Sequence, residues 1–215
     1  VVHYIHIGKT AGTAVKESLR TYNRRSQRRY YFALHGHKFT LDDVPDGDFC
    51  VFSVRDPVAR FVSGFYSRKR EGLPRIRAPH SRAEAIAFDR FPQANDLAEA
   101  LSGNTEDLAV AAISMKAIGH VRTSFWDWFG GRLLLEREKQ KILGVLRQEH
   151  LHQDIRQLEE RLKIDVALDL PVESEKRHEN DYSDTVSLSS IAIGNLKEWY
   201  RQDYVFLNVL ENELR

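Results

Sequence analysis

The chain has 215 residues, 42% of them hydrophobic and 29% charged, which is enough for one large domain over residues 1–215 with a substantial core. No apolar run approaches the ~18 residues of a membrane span, and no charged-then-apolar leader opens the sequence. A lone cysteine, Cys50, excludes an internal disulfide and points to a reducing, cytoplasmic setting; a native N-terminal anchor ahead of Val1 would instead place the domain in a secretory lumen.

The first unit reads strand, loop, helix. "VVHYIHI" is rich in β-branched and aromatic residues and predicts a strand, "KTAGT" the loop, and "AVKESLRTY" a helix. "RTYNRRSQRRYY" follows, with five arginines and three interleaved tyrosines, a composition suited to a polyanionic sugar or a nucleic acid. It contributes to an asymmetry that the net charge of +1 conceals. Residues 1–82 hold 16 Lys/Arg against 7 Asp/Glu, and residues 83–215 hold 16 against 24. A basic half favours an anionic ligand.

The run "DFCVFSV" is nearly continuous in apolar residues, as in a parallel strand buried on both faces, and Cys50 packs within it. Asp56 then caps, and Pro57 opens, a helix through "VARFVSGFYSRKR" that stops at Gly72. "GLPRIRAPHSR" reads as a loop. From about Ala83 the pattern is mainly helical, through "NDLAEAL" and "TEDLAVAAISMKAI". "KILGVL" predicts another strand, and "LHQDIRQLEERLKI" an amphipathic helix with Leu151, Ile155, Leu158 and Leu162 on one stripe. "DLPVESEKRHENDYSD" is a polar loop. "SLSSIAIGNLKEWYRQDYVFLNVL" ends the pattern as one or two helices, with Ser187, Ser189 or Ser190 as the cap. Strands alternating with helices define an α/β class: a P-loop-like, three-layer domain with a mainly parallel sheet and a helical C-terminal half. Ligands of such sheets sit beyond the carboxyl ends of the strands, where the loops after Ile7 and Val54 both fall.

The loop at Gly8 has the ingredients of an anion site. Backbone N–H groups converge at a helix start, Gly8 and Gly12 allow close approach, Lys9 brings charge, and Thr10 and Thr13 bring hydroxyls. It is not the nucleotide-hydrolase loop G-x-x-x-x-G-K-[ST], because the position five before Gly8 is His3, inside the strand. Nor does the second strand end in a Mg²⁺-holding carboxylate; it ends in Arg55, followed by Asp56-Pro57. The blander possibility is a strand–helix turn that happens to contain Lys and Thr. Against it stands the second motif, in which the Arg55 fork and the Ser63 hydroxyl could grip a second phosphate.

Together "HIGKTAGTAVKESL" and "VFSVRDPVARFVSGFYS" resemble the paired phosphate loops of sulfotransferases that use 3′-phosphoadenosine 5′-phosphosulfate (PAPS), most of all the carbohydrate branch that includes heparan sulfate 2-O-sulfotransferases. The family's usual first loop reads I-P-K-T-A-G-T-S. Here Gly8 replaces the proline and Ala14 the last hydroxyl residue, which removes one potential phosphate donor. The resemblance implies that Gly8, Lys9, Thr10, Ala11, Gly12, Thr13 and Ala14 form the 5′-phosphosulfate loop, and that Arg55 and Ser63 hold the 3′-phosphate. "LHGHKF" resembles the branch's His-Gly-His stretch, which implies His37 as catalytic base and His35 as its neighbour in the site. The likeness continues more loosely through "RHENDYS", where it implies Asn180 as a cofactor contact, to "LKEWYRQDYVFL".

The implied reaction moves a sulfuryl group from PAPS to a hydroxyl, most naturally of a possibly acidic carbohydrate. Lys9 stabilises the leaving phosphate, and His37, through its imidazole, takes the proton. With no cysteine or third histidine near the pair in sequence, no metal is expected. Two rivals are a P-loop small-molecule kinase and a non-enzymatic polyanion- or nucleic-acid-binding module. The kinase would want a longer glycine loop. The binding module would not account for Lys9, Arg55 and Ser63 near strand ends, so no nucleic-acid partner is expected.

Overall fold

A computed structural model describes residues 1–26, 30–74, 77–171 and 187–213. Four strands, β1 (Val2–Ile5), β2 (Phe32–Leu34), β3 (Phe49–Val54) and β4 (Ile142–Arg147), form one sheet in the order β2-β1-β3-β4. Every pairing is parallel: Val2 lies opposite Phe32 on one side and opposite Phe49 on the other, and Val54 lies opposite Arg147. The α/β fold with a parallel sheet flanked by helices is therefore the observed one. The chain leaves β1 through helix α1 (Gly12–Arg25) to reach β2, then returns to the far side of β1 as β3. That reversal puts a topological switch point between the carboxyl ends of β1 and β3, where a parallel sheet opens a crevice.

Two compact units can be distinguished. The first holds Val1–Arg55, Phe125–Asn180 and Asn208–Arg215; the second holds Asp56–Ser124 and Asp181–Leu207. In the first, Val2, Tyr4 and Val51 on one sheet face pack with Val15, Leu19 and Tyr22 of α1 and with Ile155, Leu158 and Leu162 of α8 (Leu151–Leu162). The expected stripe of α8 is thus the buried one. Gly144 in β4 leaves room for this helix, since a Cβ there would lie 3.2 Å from Leu158 Cδ1. Arg147 closes the β4–α8 turn: its backbone N–H and its guanidinium both donate to Asp154, at 2.6 Å to Oδ2 and 2.6 Å to Oδ1. On the opposite sheet face Phe52 meets Phe129 of the short α6 (Trp126–Phe129). Cys50 is fully buried, and burial pushes its thiol up to about 12, with Lys141 acting weakly the other way.

The second unit is helical. Helices α2 (Pro57–Lys69), α3 (Arg82–Arg90), α4 (Ala94–Ala100), α5 (Thr105–Ala117) and α9 (Ser190–Trp199) surround Phe61, Phe65, Leu97, Met115, Ile118 and Leu196. Side chains cap four of them: Asp56 for α2, Ser81 for α3, Asn104 for α5 and Ser189 for α9. Asp56 and Ser189 are caps the sequence indicates. Helix α7 (Arg132–Glu138) precedes β4, and α10 (Arg201–Glu213) closes the described chain. The strand β2 and the short α6 and α7 have no counterpart among the sequence expectations. Each has seven residues or fewer, too short for a period to register.

Candidate active site

The loop after β1 departs from ordinary backbone at two residues, and neither is glycine. Lys9 has φ 69° and Ala11 has φ 61°, both left-handed. For a residue with a Cβ this costs roughly 1–2 kcal/mol, and it persists only where the surroundings enforce it. Alternating left-handed residues turn successive amides toward one side of a loop, the geometry of an anion nest. This loop then runs into α1, whose N-cap position, Ala11, offers no side-chain cap and whose first turn has no acidic residue. An uncapped helix start presents N–H groups and the positive end of a dipole.

A buried chain of hydroxyls holds the loop from below. Tyr4 OH lies 2.6 Å from Ser53 Oγ, and Ser53 Oγ lies 2.9 Å from Thr10 Oγ1. Thr10 in turn donates to the Ile7 carbonyl at 3.0 Å. The hydroxyl of Thr10 is therefore turned into the protein, between β1 and β3, and burial raises the Tyr4 pKa beyond its ordinary value. Thr13 is half-buried in the first turn of α1, and Ala14 is buried beneath it. Gly12 is required by a neighbour: a Cβ there would sit 2.4 Å from Cδ2 of His6.

His6 joins the loop to the histidine segment. Its ring centroid lies 4.1 Å from that of His37, whose Nδ1 is 3.0 Å from the His6 carbonyl. A carbonyl oxygen only accepts, so Nδ1 of His37 carries the hydrogen and the neutral ring keeps its lone pair on Nε2. The segment is pinned from two further sides: Trp128 Nε1 donates to the His37 carbonyl at 2.8 Å, and Lys16 Nζ donates to the His35 carbonyl at 2.7 Å. Lys16 also reaches His6 Nδ1 at 3.4 Å, and burial followed by the charge of Arg20 lowers its pKa. His37 is exposed and His35 half-buried, with His35 bonded to His3 of β1. Sequence reasoning missed His3, His6, Lys16 and Trp128. The signal available for the first two was the alternation "HYIH" in a strand read for its apolar residues only.

Lys9, Thr10, Gly12, Thr13 and His37 are thus gathered in the first unit, at the carboxyl end of β1, while His35, which follows β2, turns its ring back to His3 within β1. Arg55 follows the end of the neighbouring β3, so it flanks the same switch point. Ser63 stands half-buried in the middle of α2, in the second unit. Asn180 lies outside the described residues. Several arginines of the basic half have acidic partners: Arg20 and Arg24 meet Glu17, Arg68 meets Glu84, and Arg77 meets Glu71. Arg28, Arg29 and Arg75 lie outside the described residues. Among the described residues no cluster of His, Cys, Asp or Glu could hold a metal ion, and no helix is long and apolar enough to cross a membrane.

The structure thus sets a strained, basic loop with no side-chain cap, and an oriented imidazole beside it, at the switch point of a parallel sheet. The family model described as the sulfotransferase family matches residues 1–208, and the chain belongs to that family. No curated protein and no solved structure matches it at a significant level.

Proposed function

We propose that this sulfotransferase uses PAPS as its donor and a carbohydrate hydroxyl as its acceptor. The observation that carries the proposal is the pair of left-handed residues, Lys9 and Ala11, leading into the uncapped α1 at the switch point. Strain at non-glycine residues, a positive side chain and a helix start free of acids suit a phosphate-bearing ligand. The loop is too short to wrap a triphosphate in the nucleotide-hydrolase manner, which favours a 5′-phosphosulfate.

PAPS, when bound, supplies the sulfuryl group and adenosine 3′,5′-bisphosphate as leaving group. Lys9 and the backbone N–H groups of Thr10, Gly12 and Thr13 hold the 5′-phosphate and offset its growing charge. Arg55 and Ser63 hold the 3′-phosphate, with Asn180 as a further contact. His37 accepts the acceptor's hydroxyl proton on Nε2, the nitrogen left with a lone pair by the bond from Nδ1 to the His6 carbonyl. In-line transfer of this kind depends on positioning and electrostatics, as phosphoryl transfer does. The carbohydrate acceptor follows from the likeness of "LHGHKF" to the 2-O-sulfotransferase segment. The acidic partners of Arg20, Arg24, Arg68 and Arg77 weigh against the polyanion-binding alternative.

Thermal unfolding with adenosine 3′,5′-bisphosphate, with Mg²⁺–ATP and with no ligand tests the donor. A ligand at ~100 times its Kd adds about 2.7 kcal/mol, a rise of several degrees for a chain of this size. The expected result is a metal-independent rise with the bisphosphate, lost in Arg55→Ala. A rise with Mg²⁺–ATP alone would replace the sulfuryl donor by a nucleoside triphosphate.

A further inference from the structure

His3 is a buried histidine in a strand, with no part in the chemistry described above, yet both of its ring nitrogens are committed. Nδ1 lies 2.9 Å from Nε2 of His35, and Nε2 lies 3.1 Å from Oδ2 of Asp48. The two imidazole planes differ by 2° with centroids 5.1 Å apart. An N···N separation of 2.9 Å is closer than aromatic faces approach, so the rings are coplanar and joined edge to edge by a hydrogen bond. Phe39 covers the pair, its ring parallel to both, 3.5 Å from His35 and 5.3 Å from His3.

The protonation states follow from the partners. Ionised Asp48 only accepts, so Nε2 of His3 carries a hydrogen. When His3 is neutral its Nδ1 has the lone pair and must accept from Nε2–H of His35, which leaves His35 with a lone pair on Nδ1. One added proton reverses this. It binds Nδ1 of His35; the Nε2–H bond of His35 breaks as an N–H bond forms at Nδ1 of His3, and the positive charge comes to rest on His3 against Asp48. His35 ends neutral, now with N–H on Nδ1.

We propose that Asp48, His3 and His35 form a one-proton tautomer switch, in which protonation held on His3 converts Nδ1 of His35 from a hydrogen-bond acceptor into a donor. The surrounding charges agree. Burial, His3 and Lys16 of α1 all lower the His35 pKa while Asp43 opposes them, so the charge does not stay on His35. The hydrogen bond that His3 Nε2 donates to Asp48 favours the ionised carboxylate, so it remains ionised. The inference rests on the reading of the His-Gly-His segment as part of the sulfuryl-transfer site. There, His35 accepts from an acceptor hydroxyl only above the switch pH, and His3 and Asp48 are positioning residues that set it.

Long-range ¹H–¹⁵N correlation spectra of the imidazoles, recorded from about pH 5 to pH 8.5, test it directly. The expected result is a single shared step in which His3 becomes doubly protonated while His35 changes tautomer without gaining charge. Asp48→Asn keeps an oxygen for His3 Nε2–H but removes the charge. It should lower the midpoint by about one pH unit or more and move the acid limb of kcat/KM with it. His3→Phe should leave His35 titrating as a single imidazole that becomes cationic. Two separate full protonations, an unchanging His35 tautomer, or an unmoved midpoint in Asp48→Asn would overturn the switch. Bisphosphate-induced stabilisation is measured on the same samples. Binding without a switch defeats this inference alone, whereas a switch without binding upholds it and defeats the PAPS reading.

Discussion

The two units bury polar groups to different ends. Around the loop and the histidine segment of the first unit, buried and half-buried polar side chains hold backbone: Thr10 holds Ile7, Lys16 holds the carbonyl of His35, and Trp128 holds that of His37. In the second they hold helices together. Arg60 and Asp203, both fully buried, lie 3.6 Å apart, and Arg60 also donates to the carbonyl and hydroxyl of Thr123, each at 2.8 Å. Arg68 grips Glu84 at 2.7 Å, while Glu84 caps α3 and accepts from the Gly119 amide. Helix starts differ as well, side-chain-capped at α2, α3, α5 and α9 of the second unit, though not at α4, and uncapped at α1. A side-chain cap settles first-turn amides within the protein, whereas a start without one can present them to an anion. Substitutions in the first unit should therefore read out in turnover, and those in the second in stability.

The largest expected effects test the first half of that contrast. Alanine at His37 should lower turnover by about 10²–10⁴-fold and leave the bisphosphate-induced rise in Tm intact. Alanine at Lys9 should damage both. His37 is exposed, so its alanine variant should change the unliganded Tm by no more than a few degrees. Near-normal turnover in His37→Ala would remove the base from the scheme.

Next in size is the second unit's ion pair. Arg68→Ala leaves Glu84 buried without its cation and should cost about 3–5 kcal/mol of stability, with turnover retained below the new Tm. Burial opposes ionisation of Glu84, but hydrogen bonds from Arg68 and from the amides of Ser81 and Gly119 outweigh it and hold the carboxyl at about 2. The folded value lies below the ordinary carboxylate value of ~4.3, so this contribution is complete above that pH and is lost as pH falls toward 2. Acid titrations of unfolding should show a steep limb in this window that Glu84→Gln flattens. An unchanged limb would mean that other carboxylates dominate acid unfolding.

What could be read in the sequence follows from what repeats or is punctuated. The β1 and β3 runs, the stripe of α8, and the Asp56-Pro57 start of α2 carry period or capping signals, and each is found within two or three residues of its expected place. Lys9 and Arg55 could be placed because their motifs fix them relative to the ends of predicted strands, whereas His37 was indicated by the likeness of "LHGHKF" alone. The Asp48–His3–His35 array was not, because it depends on β1 pairing with both β2 and β3, a contact between segments more than thirty residues apart. The inward turn of Thr10 was hidden for a similar reason, since its partner Ser53 belongs to another strand. A threonine beside a phosphate-loop lysine reads as a ligand donor until the strand beneath it is placed.

The smallest effects make the sharpest comparison, because two neighbouring positions of one loop should respond with opposite signs. Gly12→Ala puts a Cβ 2.4 Å from the His6 ring, which must move. The overpacking should cost about 1–3 kcal/mol and weaken bisphosphate binding, as His6 is packed against His37. Ala11→Gly is the converse. Relief of a left-handed alanine is worth roughly 1–2 kcal/mol, against about 0.4–1 kcal/mol for the added freedom of glycine in the unfolded chain. The unliganded protein should therefore gain about 0.5–1 kcal/mol, some 1–4 °C in Tm. The same loosening removes preorganisation, so the bisphosphate-induced rise should shrink. A more stable protein that binds less well would locate the strain in the anion loop and tie it to function. Loss of stability in Ala11→Gly would show instead that the left-handed turn is not strained, and the distinction drawn between the two units would lose its main physical support.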